Sequence, residues 1–267
     1  MTSSRDPEPL RVAPSLPGVL PTGSALAGSL ILAHRSGRPE AGGATPQTLA
    51  EALAAQAQVA EALGATVAGW KVGIHPEHGP VAAPLFGTRT LEGPASWPLT
   101  SGLHLEVEIA VRLGRDLAPG PQTRASVLDA IESMSVGVEL VRTRLAAGFD
   151  APFLTFLADN LGNAGYVIGR DNHLWHEPGL AARTCILRVD GKVIYAKPAL
   201  HPLGDPIAPL LAYAASQQGA LGGLRAGQIV TTGSVCGLIP VPAPGTLLAE
   251  IEGLGAVEIR TFDAKPA

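Results

Sequence analysis

Two glutamates, Glu106 and Glu108, stand two positions apart in the run 105–113 (LEVEIAVRL). In a strand, side chains at i and i+2 leave the same face. Glu106, Glu108, Ala110 and Arg112 therefore share one face, and Leu105, Val107, Ile109, Val111 and Leu113 share the other. Two like charges side by side are unfavourable unless something positive lies between them. A hard cation such as Mg²⁺ or Mn²⁺, which takes oxygen ligands, meets that need. For this pair alone, a solvated strand face is the plainer alternative. Glu139 adds weight to the metal reading. It sits in the otherwise apolar run 137–141 (GVELV), so it is either exposed at a sheet edge or buried with a partner. If its strand neighbours the first, three carboxylates converge on one ion, with positions left open for a chelating ligand and negative charge left over. Lys71 lies between Gly69 and Gly73 in the apolar run 69–74 (GWKVGI). It is the candidate to balance that charge, the alternative being a lysine snorkelling from a strand end.

Fainter signals surround these four. Ser234, after Thr232 and Gly233, could hydrogen-bond a substrate carboxylate or simply serve a turn. Arg142 and Arg144, one strand period apart and near Glu139, are partners that steady it or charges at a strand end. Cys236, beside Gly237, reads as a small packing residue rather than a nucleophile. No Gly-x-Ser-x-Gly elbow or phosphate-binding loop occurs. Gly253-x-Gly255 lacks the third glycine and the helix of a dinucleotide site.

The elements that must position these groups are helical first and mainly β afterwards. Residues 1–21, with five prolines, predict a poorly ordered extension. Periodicity predicts helices from 22–24 to 35 and over 46–63, the second with Thr45 as N-cap, Pro46 at its first position and Gly64 as its stop. Further helices are expected over 123–134 and 206–217. Strands are expected over 105–113, 136–141, 228–232 and 247–262, with a hairpin turning at Asp190-Gly191 inside 185–196. This order makes an α+β chain, with a helical region over 22–66 and a catalytic β body over 67–267. The 267 residues, 46% apolar and 16% charged, suffice for a large core. A net charge of −4 gives no footprint for nucleic acid or an anionic membrane. Two cysteines, no 20-residue apolar run and no convincing signal peptide point to the cytoplasm.

Nine short segments, in order, resemble the hydratase/decarboxylase branch of the fumarylacetoacetate hydrolase family. They are 69–74, Phe86-Gly87-Thr88, Glu106 to Ala110, 138–144, Ala158-Asp159-Asn160, 167–169, 203–206, Thr232-Gly233-Ser234 and 252–255. The resemblance implies a mixed β-roll, a homo-oligomer, and Mg²⁺ or Mn²⁺ on Glu106, Glu108 and Glu139. Glutamate at the third position looks like this branch, since the hydrolases usually carry aspartate. Lys71 matches the family's active-site lysine, and Asp159 and Asn160 match a motif expected to shape the substrate pocket. The chain departs from the pattern at His75-Pro76-Glu77-His78, where a small hydroxyl residue is usual. It departs again at Glu92, where an aspartate is usual, and at 161–163.

The chemistry so implied begins with a small 2-oxo acid chelating the ion. A hydratase would then add water to a conjugated double bond, with Lys71 neutralising negative charge and Glu92 moving the proton. Decarboxylation through the same enolate is the nearest alternative. Carbon–carbon bond hydrolysis would need a base, for which His75 or His78 could be recruited, though both read more simply as loop residues. A member that has lost catalysis and serves as a partner to a pathway enzyme is the remaining reading.

Overall fold

The structure, a computed structural model, describes residues 25–40, 44–87, 90–173 and 183–264; the extension expected over 1–21 lies outside them. Two helices come first, α1 (Ala25–Ser36) and α2 (Leu49–Leu63). Strands β1 (Val67–His75), β2 (Gly79–Phe86), β3 (Thr90–Glu92), β4 (Ala95–Leu99) and β5 (His104–Leu113) follow. After a short helix α3 (Arg124–Leu128) come β6 (Ile131–Val141), helix α4 (Phe153–Ala158) and β7 (Asn163–Ile168). The rest comprises β8 (Thr184–Val189), β9 (Lys192–Pro198), α5 (Ala208–Ser216), β10 (Ile229–Ser234), β11 (Ile239–Pro240), β12 (Gly245–Ile251) and β13 (Gly255–Asp263).

The strands form two sheets. The larger runs β2-β1-β10-β5-β6-β7-β3, with β11 also on β5, and the smaller runs β4-β13-β12-β8-β9. Within the larger, β1 pairs with β10 and β3 with β7 in parallel, and the other pairs are antiparallel. That sheet curls on itself, so that Leu85 on β2 packs with Tyr166 and Ile168 on β7, together with Ala110 and Ile229. Alternation then sorts every strand between an inside and an outside. Leu105, Val107, Ile109, Val111 and Leu113 face outward into the main core, against Leu187, Leu247, Ile251, Val257 and Ile259 of the smaller sheet. Glu106, Glu108 and Ala110 face inward. A second apolar cluster joins α1, α2 and α4 through Leu26, Leu30, Val59 and Leu157, with Val81 of β2.

Two helices differ from the expectation. Helix α2 begins at Leu49, because Thr48 rather than Thr45 caps it: the Thr48 hydroxyl accepts from the Glu51 N–H at 3.2 Å, and Glu51 accepts from the Gln47 N–H at 2.6 Å. Two orphan donors are satisfied there, which Thr45 and Pro46 could not do. Gly64 ends the helix in the left-handed region, as expected (φ 59°). The helix expected over 123–134 is only α3. Thr123 and Ser126 form its capping box, but Ile131, Ser133 and Met134 pair with Leu113, Arg112 and Val111 of β5. Sheet pairing overrides local helical preference there. The run 247–262 is the hairpin of β12 and β13, and Asp190 and Gly191 take the positive φ of the expected turn.

Candidate metal centre

Register converts the spacing of the acids into a site. Glu106 lies directly opposite Glu139, and Glu108 opposite Gly137, across β5 and β6. On the other side of β5, Thr231 of β10 lies opposite Ala110, and Lys71 of β1 is next in that row. One carboxylate oxygen from each of Glu106, Glu108 and Glu139 lies within 4.8 Å of the others. The Lys71 ammonium (Nζ) stands 2.8 Å from Glu139 Oε2 and 3.5 Å from Glu106 Oε2. Glu108 and Glu139 are fully buried, whereas the side chains of Lys71 and Glu106 are 15% and 19% exposed. The cluster therefore opens on the side of those two.

Each buried acid is held from outside the cluster. The Thr231 hydroxyl donates to Glu108 Oε2, and the Asn163 amide donates to Glu139 Oε1 at 3.0 Å. Asn163 is itself fixed by Arg144, which donates to its carbonyl at 2.8 Å and pairs with Asp159 at 2.5 Å. Asp159 also accepts from the Thr143 hydroxyl and the Arg144 N–H, at 2.9 and 2.8 Å. Glu108 Oε1 is buried with no hydrogen-bond partner among the described residues, and so is the phenol oxygen of Tyr166. That phenol lies beside Glu108 and Thr231, in space that any side chain at Gly137 would fill.

Burial pushes Glu108 well above the usual carboxylate range, and the charges of Glu139 and Glu106 add to it. Burial raises Glu139 too, and Lys71 offsets it only in part. For Lys71, burial opposes the charge, but Glu139, Glu106 and Glu108 outweigh it and hold the ammonium protonated above its ordinary range. Burial, then Glu108, raises the Tyr166 phenol. If all three acids ionised, three carboxylates against one ammonium would leave negative charge uncompensated in a buried place, so the cluster calls for either protons or a cation. Three convergent oxygen donors, one with an oxygen otherwise unpartnered, fit a hard divalent cation.

Inward-facing residues beyond the cluster are layered. Next come Leu85, Ala110, Tyr166, Ile168 and Ile229. Beyond them, Asp171 accepts from Ser133 and Ser135 at 2.8 and 3.3 Å and from Arg112 at 3.1 Å. The opposite end is rimmed by rings. His75 continues the inward alternation of Lys71 and Gly73, and stacks on Phe153 and His78 with centroids 3.8 and 4.8 Å away. His104 meets Phe149 edge-on at 5.1 Å, and Phe149 meets Phe156 at 5.9 Å.

The other candidates fall into different places. Glu92 is exposed at the end of β3, opposite Ile168, and no hydrogen bond or ion pair among the described residues joins it to the cluster. Asp159 is wholly engaged with Thr143 and Arg144. Asn160 is buried with φ 53°, and its side-chain oxygen has no hydrogen-bond partner among the described residues. The Ser234 hydroxyl donates to the Gly237 carbonyl at 3.1 Å and accepts from the Cys236 N–H at 3.3 Å, closing the turn after β10. Arg142 donates to the Gly37 carbonyl at 2.7 Å, and Arg144 reaches Glu139 only through Asn163. Asn163, Thr231, Tyr166 and Gly137 belong to the site without having been singled out. Their advance signal is their place in the strands that carry or flank the acids and, for Asn163, its place in the departure at 161–163.

Comparison with known proteins agrees with this architecture. Residues 56–261 match the domain described as Fumarylacetoacetate (FAA) hydrolase C-terminal. The chain is 34% identical over 176 residues to a 2-keto-4-pentenoate hydratase of Paraburkholderia phymatum, a stretch covering 65% of this chain and 66% of that one, just under two thirds of the relative's length. It is 27% identical over 162 residues to a 4-oxalocrotonate decarboxylase of a Pseudomonas species, covering 59% of this chain and 60% of that one. Among solved structures, the 4-oxalocrotonate decarboxylase of Pseudomonas putida G7, complexed with magnesium and adipate, superposes with a TM-score of 0.70 at 20% identity, over 89% of this chain and 96% of that one. The chain thus belongs to the fumarylacetoacetate hydrolase family.

Proposed function

We propose that this chain is a hydratase that adds water to a 2-hydroxy-dienoate through its 2-oxo tautomer, in the breakdown of aromatic compounds. Glu106, Glu108 and Glu139 would hold Mg²⁺ or Mn²⁺. The observation that carries the reading is the convergence of three carboxylates and Lys71 at the open end of the roll. The likeness to a named hydratase supports the choice of reaction. When bound, the ion supplies Lewis-acid stabilisation of the negative charge that grows on the substrate's keto oxygen.

The protein's own groups do the rest. Lys71, protonated and at the open side, pairs with the substrate's carboxylate. Thr231 and Asn163 keep Glu108 and Glu139 aimed. The apolar layer and the Asp171 cluster behind them leave the ringed end as the approach for substrate and water, and His75, His78 and His104 there meet the substrate's far end. Asn160 and Ser234 are candidates for the same pocket. Glu92 is the proposed proton carrier, and Glu92→Gln should cut turnover by about 10²-fold while leaving Mn²⁺ affinity unchanged. Full activity in that variant removes Glu92 from the mechanism.

Decarboxylation is the second reading, favoured by the likeness to the decarboxylase structure across almost its full length. Absorbance assays with Mn²⁺ separate the two, using 2-hydroxypenta-2,4-dienoate and 2-oxo-3-hexenedioate with products identified by mass. Water gain by the first substrate is the expected result. CO₂ loss from the second without hydration of the first would replace the hydratase reading by the decarboxylase one. Inertness of both, with metal bound, would overturn both.

A further inference from the structure

Tyr166 is fully buried in an otherwise apolar layer of Leu85, Ala110, Ile168 and Ile229. A phenylalanine would fill that layer without a hydroxyl to desolvate, and an unpaired buried hydroxyl is costly. The backbone makes specific room for the hydroxyl. Tyr166 belongs to β7, and its ring crosses over β6 at Gly137, where any Cβ would overlap the phenol oxygen. Gly137 is the residue directly opposite Glu108, so the gap delivers the phenol to that acid. Glu108 has one oxygen taken by Thr231 from β10, while its other oxygen and the phenol oxygen both lack hydrogen-bond partners among the described residues. An ionised carboxylate only accepts hydrogen bonds, and a phenol has one to donate.

We propose that Tyr166 is a positioning residue for the metal centre: its hydroxyl donates to Glu108 and, together with the neighbouring Thr231 hydroxyl, fixes the plane of that carboxylate as a ligand. This rests on the metal reading above. Partners of metal ligands usually change affinity by about 10–100-fold when removed.

The test uses the purified full chain and free Mn²⁺ measured by electron paramagnetic resonance. Tyr166→Phe should keep its fold by circular dichroism and bind Mn²⁺ about tenfold more weakly or worse. Ile168→Val, which loosens the same layer and keeps the hydroxyl, should stay within about twofold of wild type. An unchanged Kd in Tyr166→Phe, or equal losses in both variants, overturns the proposal and leaves the metal reading standing. Failure of the wild-type chain to bind Mn²⁺ overturns the metal reading and this proposal with it. Should Tyr166→Phe not fold, the chain's three tyrosines allow a second measurement. With Tyr195→Phe and Tyr213→Phe in place, Mg²⁺ should shift the near-ultraviolet band of Tyr166, and an unmoved band overturns the proposal.

Discussion

Glu108 and Glu139 hold their protons more tightly in the folded chain than an exposed glutamate does, burial being the first cause for both. Asp171 and Asp205 behave oppositely: burial alone would raise them, but Ser133 with Arg112, and Arg124, outweigh it and hold them low. The signs follow from linkage. Acids with a depressed folded pKa give their full stabilisation above the unfolded value of about 4 and lose it only as pH falls through the folded one. They leave the range from pH 5.5 to 7.5 flat. Acids with a raised folded pKa work the other way: above about pH 4.3 the unfolded chain releases protons that the folded chain retains, so metal-free stability falls as pH rises. A divalent ion replaces those protons. The rise in Tm on adding Mn²⁺ should therefore be larger at pH 7.5 than at pH 5.5, with a chelator-treated sample as baseline in scanning fluorimetry. Equal shifts at both pH values would contradict it. The acids and Lys71 were readable because charges in apolar, alternating runs are conspicuous. Tyr166 and Asn163 were not, because a tyrosine in an apolar strand reads as core. What it faces depends on the register of β7 against β6, which one strand's sequence does not carry.

The connection between β6 and β7 ties the site together at the next scale. It leaves β6 two residues after Glu139, carries Phe149, Phe153 and Phe156 to the rim, and returns to β7 at Asn163, which holds Glu139. Its internal fastening is the buried pair Arg144–Asp159, with 6% and 0% side-chain exposure. Asp159→Ala strands the guanidinium without a counter-charge, which costs about 3–5 kcal/mol. A drop in urea midpoint is expected, with weaker Mn²⁺ binding as Asn163 loosens. An unchanged midpoint would mean that the fastening lies elsewhere. The family motif at 158–160 was visible in the sequence as a pocket element, but its aspartate spends all its hydrogen bonds on Thr143 and Arg144. Only the distances could say so. The expected helix over 123–134 failed for a related reason: its start signal at Thr123 is real, but its end depends on β5, a strand that local pattern does not see.

For the whole molecule, composition and element order reached the α+β class, and the ordered motifs reached the roll. The curl of the larger sheet was beyond single-strand reading, because it arises from the meeting of β2 with β7 and from the insertion of β10 between β1 and β5, parallel to the first and antiparallel to the second. That insertion spans a long stretch of chain. Trp70 of β1 hydrogen-bonds Gln228, just before β10, across 158 positions. Lys71, Glu106, Glu108 and Glu139 are all synthesised before the strand that joins their two halves. On the ribosome, β1 and β5 must wait with open edges, an aggregation hazard that lasts until the final segment emerges. Nascent chains stalled at increasing lengths should resist protease over the sheet only after residue 234 clears the exit tunnel. Protection at a shorter length would mean that β1 and β5 find each other first and β10 later pries them apart. On the expected order, translation speed past residue 200 governs yield, and a chaperone that shields strand edges would raise it most during that interval.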